Sequence, residues 1–160
     1  MQQVTVNLYY YSELSEQAKE KAKNWYFGSG FEYHWIDESV DSVKAFCQHF
    51  DIDIKDWSLC PHSYSYIKTD ADHSCFRRFT LKQAMALPEY PTGYCLDHTL
   101  RQSFIDHFEQ TGSAWLAFQN AIGKAKYAII QDMEHQESEE YISEHLDCNE
   151  YTFTESGNRF

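Results

Sequence analysis

Trp115, Phe118, Ile122, Ala125, Ile129 and Met133 recur every three or four residues, and that spacing predicts one long amphipathic helix. A helix of this kind buries a stripe and needs other elements to bury it against. The chain supplies them from a small aliphatic stock. Leu, Ile, Val and Phe number 33 of 160 residues, close to the level at which a strongly charged chain stays disordered. Twelve Tyr and four Trp make up the shortfall. Each buried ring removes about 150–250 Å² from water, while its hydroxyl or indole N–H asks for a partner. No internal repeat and no Pro/Gly/Ser linker interrupts the chain, so residues 1–160 are expected to form a single domain.

Around the long helix the patterning changes period. Val4, Val6, Leu8 and Tyr10 alternate with Thr5, Asn7, Tyr9 and Tyr11, predicting a strand with the first set facing inward. Ser12 or Ser15 is placed to cap a helix carrying Ala18, Ala22, Trp25 and Tyr26, which Gly28 and Gly30 end. Ile36, Val40, Val43, Cys47 and Phe50 predict a second helix. Residues 52–59 fit a loop or a short edge strand. Ser63–Lys68 and Cys75–Leu81 read as the arms of a β-hairpin about a polar connection. Asp97 or Thr99 can cap a helix bearing Leu100, Phe104, Ile105 and Phe108, with Gly112 at its end. Ser138 can cap a short helix with Tyr141, Ile142 and Leu146, and Tyr151 and Phe153 predict a closing strand. The expected class is α+β: a small antiparallel sheet of N-terminal strand, central hairpin and C-terminal strand, packed with four to five helices.

The formal charge of −12 argues against direct nucleic-acid binding, whose affinity comes largely from cations meeting phosphates. No stretch reaches the ~20 apolar residues of a membrane span, and the first eighteen residues lack the basic, apolar pattern of an export leader. Five Cys without disulfide-framework spacing fit a reducing compartment. A cytoplasmic protein without membrane contact is expected.

Phosphate-cradling and nucleophile motifs are missing from the sequence, so no catalytic residue is assigned. Cys60, His62, His73 and Cys75 form the most chemical cluster, because alternate residues on two paired strands share a face and could present two thiolates and two imidazoles to zinc. A flat strand pair aims two sulfurs at one metal poorly, however. The expectation is therefore core thiols and surface histidines, with no metal and no cofactor. Asp51, Asp53, Asp56, Asp70 and Asp72 are read as solvated carboxylates.

The sharper feature lies near the end of the chain. Between Gln131 and Glu155 stand nine Asp or Glu and no Lys or Arg, while helical and strand periods persist beneath them. Charge laid on a folded surface steers a basic partner toward it. Glu137, Glu139, Glu140, Glu144 and Asp147 are the candidate contacts, with Tyr9 and Tyr11 as exposed aromatic anchors.

Two segments add a resemblance. Val4 through Ala22 (VTVNLYYYSELSEQAKEKA) and Asn149 through Gly157 (NEYTFTESG) resemble a group of small phage and prophage proteins, many described as antitoxins of toxin–antitoxin systems. Asp72 and Phe76 match that group's turn before a Phe, whereas Ala71 and His73 stand where the group has glycines. The resemblance implies a phage-encoded accessory protein. The resulting expectation is a non-enzymatic inhibitor that binds a host protein or ribonucleoprotein with a basic surface, such as a defence complex, by imitating nucleic acid. The alternatives are an antitoxin that occludes its toxin and a metal-dependent enzyme built on the Cys/His cluster.

Overall fold

The computed structural model describes residues 5–160, so Val4 lies outside the described residues. They form helices α1 (Glu16–Gly28), α2 (Ile36–Gln48), α3 (Leu81–Met85), α4 (Cys95–Thr111), α5 (Ala114–Gln136) and α6 (Glu139–Cys148), with strands β1 (Ile54–Ser58) and β2 (Tyr66–Thr69). The protein is thus mixed helix and strand, with one two-stranded antiparallel sheet among the described residues. Among them no helix is long and apolar enough to cross a membrane. The chain divides into two compact units: the residues up to Tyr33 with Glu134–Phe160, and His34–Met133.

In the first unit Ser15 caps α1 by accepting from the Ala18 amide at 3.4 Å. Ala18, Ala22 and Tyr26, four residues apart, face inward and meet Ile142 and Leu146 of α6 together with Tyr11, Leu14 and Phe153. Small alanines let this helix approach closely. Gly157 exploits that approach. It has φ +80°, and a Cβ there would lie 2.2 Å from the Ala18 carbonyl oxygen. Ser138 caps α6 as the sequence indicates, accepting from the Tyr141 amide at 3.2 Å.

The second unit is centred on phenylalanine. Phe46, Phe50, Phe76, Phe79, Phe104, Phe108 and Phe118 contact one another with ring centroids 5.1–6.5 Å apart. They come from α2 and the turn after it, α4, α5 and the segment before α3, and α4 packs on both α2 and α3. Gly112, at φ 68°, ends α4. Cys47 is buried here, and burial pushes its thiol up to about 12. At neutral pH it is an inert core group.

Four expectations are corrected. The three-part sheet is not formed. Tyr9 and Phe153 share a single antiparallel bridge, Phe153 has another with Arg159, and neither the N-terminal nor the C-terminal segment extends into a ladder. Glu150 at φ 56° and Gly157 turn the chain on either side of that bridge. The N-terminal alternation holds only over Tyr9–Tyr11 and there runs opposite in phase, with Thr5 and Asn7 exposed alongside Val6 and Leu8. Val6, Leu8 and Tyr10 are exposed, while Tyr9 is half-buried and Tyr11 is fully buried, its hydroxyl donating to Glu139. The hairpin pairs β2 with Ile54–Ser58, not with Cys75–Leu81. Phe76 and Phe79 lie three apart and both enter the phenylalanine cluster, which a strand cannot arrange. Asp72 instead starts a 3₁₀ turn, His73–Phe76, by accepting from Ser74 N at 2.6 Å. Finally, α4 begins after Tyr94; Asp97 sits in its first turn and reaches back to the amides of Thr92 and Gly93 at 2.8 and 3.0 Å.

Candidate acidic binding surface

Helix α6 carries the densest of the candidate acids. Ile142 and Leu146, one turn apart and fully buried, fix which face is inside. Glu140 and Glu144 then fall together on the outside, also one turn apart and exposed. Glu139 and Glu140 in the first turn are favoured by the positive end of the helix dipole. Glu140 beside Glu144 is a like-charge pair that costs about 0.2–0.5 kcal/mol.

The other three candidates on or near α6 turn partly inward. Glu139 accepts the Tyr11 hydroxyl at 3.0 Å through both carboxylate oxygens, and the ammoniums of Lys19 and Lys23 stand 3.9 and 4.0 Å away. Asp147 receives the Tyr11 amide at 2.8 Å and the Ser12 amide at 3.3 Å, satisfying the opening donors of the 3₁₀ turn Tyr11–Glu13. Glu137 accepts from the Tyr33 hydroxyl. These carboxylates fasten the first unit together from one side and present their remaining surface on the other.

Tyr11 was expected as an exposed anchor and is instead 0% exposed. Burial, then the hydrogen bond to Glu139, raises its phenol above the ordinary value, so it remains a proton donor. Tyr9 is half-buried against the same core. Among the described residues, exposed aromatic surface on this stretch belongs to Tyr10 at 44%.

From Glu134 onward, the carboxylates that meet no cation or hydrogen-bond donor among the described residues are Glu134, Glu140, Glu144, Glu150 and Glu155. Sequence reasoning named two of these. Glu134 could have been added from its position just off the buried Met133 stripe, whereas Glu150 and Glu155 follow from turns that the alternation did not reveal. The unit's cations are largely occupied: Lys19 and Lys23 face Glu139, and the Arg159 guanidinium lies 4.9 Å from the Tyr151 ring. Lys21 is exposed and makes no ion pair among the described residues.

Elsewhere the sequence candidates serve the hairpin. Asp70 bonds the Lys55 ammonium at 2.9 Å and the Asp53 amide at 2.8 Å, which hold its carboxyl below the usual range. Asp56 accepts from the Tyr66 hydroxyl at 2.8 Å. Cys60, His62, His73 and Cys75 do not lie on paired strands, and among the described residues no three His, Cys, Asp or Glu side chains converge in a metal-holding arrangement. That removes the geometry on which the metal-enzyme reading depended.

In comparisons with known proteins, no protein-family model, no curated protein and no solved structure matches this chain.

Proposed function

We propose that this chain is a phage-encoded, non-enzymatic inhibitor whose first unit binds a basic surface on a host protein or ribonucleoprotein in the cytoplasm, excluding nucleic acid from it. The observation that carries the reading is an ordered, cation-poor array: Glu134, Glu140, Glu144, Glu150 and Glu155 project from a frame in which Lys19 and Lys23 face Glu139 and Lys21 alone of its lysines makes no ion pair among the described residues. Carboxylates one helical turn apart stand roughly 5–6 Å from each other at the Cβ atoms. That spacing is of the order of successive phosphates on one strand, which a cationic cleft already accommodates. Pre-ordering removes the entropy cost that a disordered acidic tail would bear on binding.

A pull-down from defence-carrying host lysate, repeated with Glu140→Lys, Glu144→Lys and Glu150→Lys combined, tests the reading. The expected result is capture of a basic partner by the native chain, loss of capture by the triple variant, and steep weakening between 50 and 500 mM salt, where the screening length falls from about 14 to 4 Å. Undiminished capture by the variant overturns it. Relief of toxicity on co-expression with a neighbouring toxin gene would point the same surface toward the antitoxin reading.

A further inference from the structure

Among the described residues Tyr64 is the most exposed large aromatic, at 83%. It does not stand in open water alone. With Tyr66 and Trp115 it lines a cavity of about 380 Å³ between the β2 strand and α5, wholly inside the second unit. That volume lies in the range of small-molecule sites. Its charged lining consists of Lys68 and Lys126, with no carboxylate, although Asp and Glu outnumber Lys and Arg by 25 to 13 in the chain. The Lys68 ammonium lies 4.4 Å from the Tyr66 ring centroid and 3.8 Å from Asp56, and Lys126 makes no ion pair among the described residues.

Gly123 lines the same cavity from the interior of α5. Glycine weakens a helix interior relative to alanine. Here no local packing asks for it, because a Cβ at Gly123 would meet nothing within 4 Å and its φ is ordinary. What the missing side chain keeps open is the groove.

We propose that this groove binds a nucleotide, its flat base against the rings of Tyr64 and Trp115 and its phosphate on Lys68 and Lys126. Aromatic faces accept any base, while the Lys126 ammonium, in no ion pair among the described residues, and the Lys68 ammonium, which Asp56 shares, complement a phosphate more than an apolar peptide side chain. Two cations suit one phosphate, and this site is independent of the acidic surface of the first unit.

Calorimetric titration of the full chain with adenosine 5′-monophosphate, adenosine and inorganic phosphate tests the assignment. The monophosphate is expected to bind, with adenosine and phosphate each at least about tenfold weaker because half of the recognition is lost. Tyr64→Ala should weaken binding roughly 5- to 150-fold. Gly123→Leu should abolish it while raising the melting temperature, since leucine favours the helix, so misfolding cannot account for the loss. No binding of the monophosphate, adenosine binding equally well, or undiminished affinity in Gly123→Leu overturns the proposal. An octathymidylate binding more tightly than thymidine 5′-monophosphate identifies a single strand as the source of base and phosphate; equal affinity identifies the free nucleotide.

Discussion

The two units meet the same shortage of aliphatic residues by different means. His34–Met133 gathers phenylalanines ring against ring, and its 13 carboxylates are nearly balanced by 9 Lys or Arg. The unit made from the two ends of the chain uses tyrosine, whose hydroxyl draws carboxylates toward the core, and it carries 12 acids against 4 Lys or Arg. Cohesion in the former follows apolar area and ring geometry. In the latter it depends on polar contacts between distant segments, and those contacts decide which acids remain free. One unit is insulated from its charge, and the other is organised by it.

The largest effect expected is that of Gly157→Ala. A methyl group at φ +80° against the Ala18 carbonyl should cost about 2–5 kcal/mol from backbone strain and overpacking. Hydrogen exchange should then accelerate across α1 and α6 while α2 and α4 keep their protection; equal acceleration everywhere would break the comparison between units. Next comes Asp97→Ala in the second unit. Asp97 is 2% exposed and satisfies Thr92 and Gly93, so its removal should cost about 2–4 kcal/mol by denaturant melting, with α1 and α6 unaffected.

Tyr11→Phe should cost about 1 kcal/mol and also change the pH profile. Folding holds the Tyr11 proton above the ordinary tyrosine value of 10.0, so above that pH the unfolded chain has released a proton that the native state retains. The contribution is therefore complete below pH 10 and declines as the pH rises toward the folded value. The difference in stability between the native chain and Tyr11→Phe should shrink above pH 10; a constant difference would show that burial and Glu139 together do not hold the Tyr11 proton. Smallest of all, Glu140→Lys should change stability by no more than about 0.5 kcal/mol, because relief from the like-charge Glu144 is offset by loss of the favourable dipole interaction in the first turn of α6.

The parts of this fold that the sequence reveals are those decided within one or two turns of chain. The α5 stripe, the caps at Ser15 and Ser138 and the Gly112 terminus depend on neighbours three or four residues away. Alternation at the N-terminus is equally local, but its phase is not. Whether Tyr11 or Tyr10 points inward depends on Glu139, 128 residues further on. The same long reach separates the engaged acids Glu139 and Asp147 from the free Glu140 and Glu144, which no local pattern distinguishes. Cys75–Leu81 misleads for a related reason: its aromatic richness suits a strand, but the rings of Phe76 and Phe79 are claimed by a cluster assembled from four other places.

Tyr11 draws its backbone partner, Asp147, from 136 residues downstream. A ribosome therefore finishes the middle of this protein well before the beginning can settle. While α1 waits, Lys19 and Lys23 have no Glu139 to face, and Lys19 has only Glu16 of its own helix. The acidic exterior forms only once the segment from Glu134 onward has been made, so a chain stopped before that segment leaves a phenylalanine-centred body without the surface proposed to engage the host.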